Sequence, residues 1–341
     1  YYTAGVYQES DGVANFPKDL MELAYFGNAG QDRSYDIGEI NFRANLQTVF
    51  HFGINEQVNK NLHIGARAKL YTSSANIKSV RNTGQFNSGP GENGILLDQS
   101  ISNLNLKFDS TGLEDGDELS TGDVLIGSNF GLGLDFGLSY FFDERWEFTT
   151  SILDLGFIRF NKNTRRDKSR GFYEYNGIGI QFPEFSEGDD LINYYQNLGD
   201  EIDQNIPTET TSEAYTYVQP TKVNLGLSYN FGGEASRCNC RLKSGGKQAG
   251  NQTLSLHAFS MLSAGNLFYS INGIYQRSFW KTVYAKVSLG IDQFNRPNFG
   301  GGLAVDVWKI NLFANVDRLN HFDNIYNAKA LAYQFGLNLK F

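Results

Sequence analysis

The sequence LAYQFGLNLKF, residues 331–341, alternates apolar side chains with small or polar ones. Successive side chains of a β-strand point to opposite faces, so this stretch predicts a strand with one fully apolar face. The same alternation recurs along most of the chain. It therefore predicts a transmembrane β-barrel, in which the outer face of each strand meets lipid and the inner face meets water. The apolar positions of this stretch are Leu331, Tyr333, Phe335, Leu337, Leu339 and Phe341.

The composition of the 341 residues agrees with a barrel and argues against several other classes. The chain has 37 Gly, 19 Tyr and 27 Phe. Small residues clear the lumen of a barrel, and aromatic residues form girdles at its two interfaces. No uncharged apolar stretch approaches the roughly 18 residues of a transmembrane helix. The net charge of −8 argues against a nucleic-acid partner, and 2 Cys are too few for a disulfide scaffold.

The alternation predicts about fourteen antiparallel strands in one domain, residues 1–341. This count takes 172–182, 212–218 and 223–231 as three separate strands. A slip of phase near Ile152 and Leu153 predicts a β-bulge. The chain starts on Tyr1 in mid-pattern, without an initiator Met or signal peptide. We therefore expect residues before it, which would raise the count to about sixteen.

Three segments interrupt the alternation. Residues 73–128 are polar and predict a long external or lumenal loop, with a possible strand at 95–108. Residues 183–206 are acidic, with apolar positions at helical spacing, and predict a short helical insertion. Residues 232–250 predict a basic, Gly-rich loop. Counting back from a periplasmic Phe341 puts the short turns, the acidic segment and the basic loop all on the periplasmic side.

The polar face of the predicted hairpin 40–70 carries Arg43, Arg67 and Lys69. These cations could line the lumen as an anion-selecting stripe. The favoured alternative is that they pair with lumenal acids and plug the pore. Asp135 and Asp154 could form such partners, or a carboxylate pair for acid–base work. No His, Ser or Cys partner accompanies them, so we expect no enzyme.

The acidic segment and the basic loop form the most informative pair of charged regions. They could neutralise each other, or dock a periplasmic protein or lipoprotein through charge complementarity. The candidate docking residues are Asp189, Asp190, Asp200, Glu201, Arg237, Arg241 and Lys243.

Metal and cofactor sites are weakly indicated. Cys238 and Cys240 form a C-x-C pair, but a structural zinc site wants four ligands. His51 and His63 could meet across their hairpin. The acidic residues within 109–118 lack the ligand order of an EF-hand loop. We expect neither a metal nor a cofactor.

Two motifs carry a family resemblance: NFGLGLDFG at 129–137 and SILDLGFI at 151–158. With residues 19–28 and 62–75, they resemble the DUF5723 family of Bacteroidota outer-membrane barrels. That family is similar to the PorP/SprF-type and PorV/FadL-type barrels. A C-terminal strand ending in Phe341 also resembles a sorting signal of bacterial outer-membrane proteins. The resemblance implies a bacterial outer-membrane location and an accessory role in machinery such as type IX secretion.

Two functions follow from these observations. The preferred one is a non-enzymatic scaffold or accessory subunit of an outer-membrane assembly, in secretion or outer-membrane protein biogenesis. Its partners would be outer-membrane lipid and other envelope proteins or lipoproteins. The alternative is a FadL-like or porin-like channel for small or hydrophobic solutes.

Overall fold

The computed structural model describes residues 1–19, 22, 32–38, 40–90, 97–112, 125–176, 206–232, 251–263, 266–279, 282–293, 297–317, 319 and 332–339. It contains one antiparallel sheet of 18 strands. In the described part of the chain, no helix is long and apolar enough to cross a membrane. The strands are Tyr2–Asn15 (β1), Arg33–Asp36 (β2), Asn41–Gln57 (β3), Leu62–Ser79 (β4), Thr83–Pro90 (β5), Leu97–Thr111 (β6), Asn129–Phe141 (β7), Trp146–Phe160 (β8), Thr164–Asn176 (β9), Thr208–Thr211 (β10), Tyr215–Val218 (β11), Lys222–Phe231 (β12), Gln252–Ser263 (β13), Asn266–Phe279 (β14), Val283–Asp292 (β15), Asn298–Val307 (β16), Ile310–Asp317 (β17) and Ala332–Leu339 (β18).

Twelve of these strands form a continuous ladder, in the order β1, β3, β4, β7, β8, then β12 to β18. Within the described residues, β1 and β18 are its two ends. The fold is all-β, an antiparallel sheet of the transmembrane-barrel type that the sequence predicts, and it is not closed within the described residues. Those residues form 18 strand segments rather than about fourteen.

The other six strands extend the sheet along the strand direction, beyond the ends of β4 and β8. β6 pairs with the last residues of β4, and β9 with β6. β5 and β10 flank that pair, β2 flanks β5, and β11 pairs with the end of β8. We call this end of the sheet the loop end. The opposite end, where Gln57 joins Leu62 and Phe141 joins Trp146, is the turn end.

The predicted loop over 73–128 therefore contains the end of β4 and the whole of β5 and β6. Of the two whole strands, only β6 had a sequence signal, the possible strand at 95–108. Both strands extend beyond the apolar band, where their faces are polar or only part-apolar, so the period-2 signal is weak. Strand β9 was predicted only from residue 172, because its first part lies in a basic stretch.

The outer face of the ladder is apolar and exposed, as a lipid-facing surface requires. On β7, exposure alternates residue by residue, and Phe130, Leu132, Leu134 and Phe136 are 46–62% exposed. On β18, Tyr333 is 74% exposed and Phe335 70%. Burying one such side chain in an apolar phase is worth about 1.5–3 kcal/mol, so a band of them favours lipid over water.

The inner face of β7 is built from glycines where a neighbour comes close. A Cβ on Gly133 would lie 2.3 Å from the Tyr71 hydroxyl, and one on Gly131 would lie 2.1 Å from the Phe157 carbonyl oxygen. Tyr71 is fully buried and packs in the cluster of Val49, Ile158, Phe160, Tyr215 and Tyr217. Glycine at 133 thus makes room for the tyrosine.

The predicted β-bulge is confirmed. Leu134 pairs with Leu155 and Phe136 with Ile152, so Leu153 and Asp154 together face Asp135. Asp154 has a φ of 59°, in the left-handed region that Asp and Asn enter more easily than most residues. The bulge turns the Asp154 carboxylate towards the inside of the barrel.

The two charged segments leave the sheet at opposite ends, which corrects the prediction that they share one side. The acidic segment joins Asn176 to Thr208 at the loop end, and the basic loop joins Phe231 to Gln252 at the turn end. The error has a definite source. Strands β10, β11 and β12 all pair with the β9–β8 edge and make one traverse, whereas the sequence analysis counted two.

Candidate functional site

The concave side of the sheet carries a layer of charged side chains that pair with one another. Lys69 lies at its centre, with Nζ 2.9 Å from Asp135 Oδ2 and 2.5 Å from Asp154 Oδ1. All three side chains are less than 10% exposed. The backbone N–H of Asp154 donates to Asp135 Oδ1 at 2.8 Å. The bulge and the lysine together hold two buried carboxylates side by side.

This layer extends across the lumen to strands that are distant in the ladder. Lys222 of β12 lies 3.1 Å from Asp154 Oδ2 and 3.5 Å from Glu9 Oε1 on β1. Gln219, just before β12, donates to Gln47 of β3 at 2.6 Å. Because β1 and β12 are separated by four strands of the ladder, these contacts bridge the inside of the curved sheet.

A second layer lies nearer the loop end. Arg43 pairs with Asp11 at 2.9 Å and donates to the Tyr217 hydroxyl across the lumen. Only 5% of Arg43 is exposed. Below it, Ser73 donates to Asn45 at 2.9 Å. Polar side chains are thus hydrogen-bonded to one another at successive levels between the turn end and the loop end, and buried polar groups require such partners.

A third layer lies beyond the apolar band. Arg166 of β9 donates to Asp109 of β6 at 2.6 Å and also contacts Glu213. Hydrogen bonding to the Asp109 carboxylate raises the pKa of Arg166. Lys78 donates to the Thr216 carbonyl oxygen at 2.8 Å. This ionic group joins the strand extensions to the barrel wall.

The structure brings together the four lumenal residues that the sequence singled out. Lys69 and Asp135 are in contact, and Arg67 lies 3.7 Å from Asp135 Oδ2. Arg43 is in the neighbouring layer. Asp154, proposed with Asp135 as a carboxylate pair, is bonded to Lys69 and Lys222. This arrangement matches the alternative in which the lumenal cations pair with acids.

Other members of these layers were not singled out from the sequence. Glu9 and Asp11 lie at inward-facing positions of β1. Both can be placed on that face only when the full length of the strand is known. Lys222 lies two positions before Asn224, whose side chain points inward. Extending the predicted strand 223–231 by one residue would therefore have placed Lys222 on the inner face. Gln47 and Gln219 carry no signal beyond their polarity.

The docking candidates Asp189, Asp190, Asp200, Glu201, Arg237, Arg241 and Lys243 lie outside the described residues, as do Cys238, Cys240 and residues 113–118. So do the predicted helical insertion up to residue 205 and the basic loop from 233.

The weak suggestion that His51 and His63 meet is wrong. His51 pairs in register with Lys69, six residues from His63 on β4, which separates them by about 20 Å along the strand. The described residues contain no group of three or more His, Cys, Asp or Glu side chains that could hold a metal.

Comparisons with known proteins give a family. Among proteins of curated function, none matches the chain. The toluene transporter TbuX of Ralstonia pickettii is 11% identical, with a TM-score of 0.43 over 99% of this chain and 75% of that one. OmpF of Salmonella typhi, in complex with daunomycin, is 8% identical, with a TM-score of 0.24 over 92% and 89% of the two chains. Residues 1–317 match the model of DUF5723, a family of unknown function, and the chain belongs to that family.

Proposed function

We propose that this protein is a non-enzymatic outer-membrane barrel that acts as a scaffold or accessory subunit of an envelope assembly, and that its lumen is not an open pore. The observation that carries the proposal is the bonded layer inside the barrel. Lys69, Asp135 and Asp154 are 4–7% exposed and pair with one another, and Lys222, Glu9, Gln47 and Gln219 continue the layer across the lumen.

An open channel would use its lumenal charges differently. Selective pores present rings of charge to water and to the passing ion. Here the cations and carboxylates satisfy each other, and removing one partner of a buried pair costs about 3–5 kcal/mol. Such a layer resists being opened for each passing solute, so it favours a structural role.

The charged segments support contacts with other proteins. The acidic segment leaves the sheet at the loop end, and the basic loop leaves it at the turn end. Short connections are typical of the periplasmic side of a barrel, so we assign the basic loop to the periplasm and the acidic segment to the cell surface. Separated in this way, they are suited to different partners rather than to each other.

The assembly that we propose lies in protein secretion or outer-membrane protein biogenesis. The grounds are the resemblance to Bacteroidota barrels that include type IX accessory subunits. The expected partners are other envelope proteins or lipoproteins, together with the lipid of the outer membrane.

Two experiments on the native protein test this function. Purification in a gentle detergent, followed by mass spectrometry, should give stoichiometric envelope partners. Replacing Arg237, Arg241 and Lys243 by Gln should release a periplasmic one. As a matched control, Lys286→Gln changes one lumenal charge and should keep the partners. A barrel that purifies alone would contradict the proposal.

The second experiment measures conductance in planar bilayers. We expect no steady conductance from the wild type. The double variant Lys69→Ala, Asp154→Ala removes the centre of the layer and should admit ions. Steady wild-type conductance would reject the scaffold and support the porin-like channel.

A further inference from the structure

Below the ionic layer, towards the turn end, lies a cavity of about 400 Å³ on the inner face of β3, β4, β7 and β8. It is partly open to the lumen and is independent of the charged segments. Its volume lies within the range of small-molecule sites, about 300–1,000 Å³. Its polar lining includes His63, Arg67, Asp135, Ser139, Ser151 and Asn224.

The space exists because two glycines face each other. Gly65 and Gly137 are paired in register on β4 and β7. A Cβ on Gly137 would have only the Thr150 carbonyl oxygen within 4 Å, at 3.9 Å, and one on Gly65 would have nothing nearer than 3.6 Å. Neither position has a positive φ. Packing and backbone conformation therefore do not require glycine here, in contrast with Gly133 under Tyr71.

Arg67 supplies the charge that a ligand would meet. Its side chain is 43% exposed, and its ion pair with Asp135 is long, at 3.7 Å. Asp135 is held more closely by Lys69, at 2.9 Å. The guanidinium fork of Arg67 therefore retains capacity for a second anion. Its planar donors fit a carboxylate through two parallel hydrogen bonds.

The hydroxyl and amide groups complete the chemistry of the cavity. Asn224 donates to Ser151 at 3.1 Å, which fixes both side chains on one wall. Ser139 is paired in register with His63 and with Thr149. These groups can donate to, or accept from, the hydroxyl and carboxyl oxygens of a small polar molecule.

We propose that this cavity binds a small polycarboxylate, with Arg67 holding one carboxylate over the floor formed by Gly65 and Gly137. The site is reached from the turn end, which we have assigned to the periplasm. The proposal stands whether or not the protein is a scaffold, because it rests on the lining of this cavity and not on whether the lumen is open.

The test uses the full chain in lipid nanodiscs, with succinate and citrate as probes, measured by calorimetry and by saturation-transfer NMR. We expect saturable binding of at least one probe at millimolar concentration. Arg67→Gln should weaken it about tenfold to a hundredfold, since a charge-assisted hydrogen bond is worth about 1.5–3 kcal/mol. Arg67→Lys should give an intermediate loss, because it keeps the charge without the fork.

Gly137→Val should abolish binding by filling the cavity. The control is Gly273→Val on the outer face of β14, where a Cβ would have only the Leu289 carbonyl oxygen within 4 Å, at 3.7 Å, and which does not line the cavity. It should bind as the wild type does. Heat-modifiability on gels verifies that each variant is folded. Absence of saturable binding of both probes, or equal binding by the wild type and the Arg67 and Gly137 variants, would overturn the proposal.

Discussion

The two halves of the sheet differ in the partners of their inward-facing side chains. In β1–β12, the inward side chains are buried and bond across the lumen, as Lys222 does with Glu9 and Arg43 with Tyr217. In β13–β18, the inward polar groups bond mainly along the sheet to neighbouring strands, as Asn315 does with Gln334 and Asn338 with Asn311. The buried apolar cluster also belongs entirely to the first half.

The difference indicates that the inner face of the first half forms a packed core, while the second half is a wall whose inner face is not packed against a core. The first half also carries the strand extensions at the loop end, and its ionic groups join those extensions to the barrel. Substitutions on matching inner-face positions should therefore have unequal costs in the two halves.

The largest effect is expected from Lys69→Ala. The substitution leaves the Asp135 and Asp154 carboxylates buried without their shared cation, which should cost about 3–5 kcal/mol. Unfolding by urea in lipid vesicles, followed by tryptophan fluorescence, measures the loss.

The matched control for that substitution is Lys286→Ala, on the inner face of β15 in the second half. We expect it to cost less than about 1 kcal/mol, as most substitutions outside a packed core do. Equal losses for the two lysines would remove the distinction between core and wall.

A smaller effect is expected from Gly133→Ala. The new methyl would meet the Tyr71 hydroxyl at 2.3 Å, and Tyr71 is fully buried and cannot move aside freely. Overpacking of this kind costs about 1–3 kcal/mol. The same unfolding measurement applies.

Gly302→Ala on the inner face of β16 is the control, because its Cβ would meet the Asn315 and Lys286 side chains at 2.3 and 2.6 Å, and neither of these side chains is buried. We expect a change within about 0.5 kcal/mol. A loss there as large as that of Gly133→Ala would mean that the wall is packed as tightly as the core.

The smallest effect concerns pH at the turn between β7 and β8. Backbone N–H groups of Arg145 and Trp146 donate to Asp143 Oδ1 at 2.7 and 2.8 Å and lower the pKa of Asp143 below 3.8. Since the folded pKa is lowered, the stabilisation is present above the unfolded pKa and is lost as pH falls through the folded one. Amide NMR shifts of Arg145 and Trp146 should titrate in that acidic range. In Asp143→Asn they should not, and a midpoint at or above 3.8 would contradict the proposed cap.

Local patterns in the sequence identified much of this structure. Alternation across the motif at 129–137 predicted β7, and the slip at Ile152 and Leu153 predicted the bulge that places Asp154. Alternation failed in β5, in β10 and in parts of β6 and β9, where strands leave the membrane and no apolar face marks them. Counting β11 and β12 as two traverses then put the acidic segment on the wrong side.

The sequence by itself determined which side chains face inward, because parity along a strand is a local property. Arg43, Lys69 and Asp135 could be placed on one face in this way. Only the tertiary structure decided their partners. Lys69 bonds Asp154, 85 residues away, and Lys222 bonds Glu9, 213 residues away. Those pairings depend on the register between strands and on the curvature of the whole sheet, which no single stretch of sequence contains.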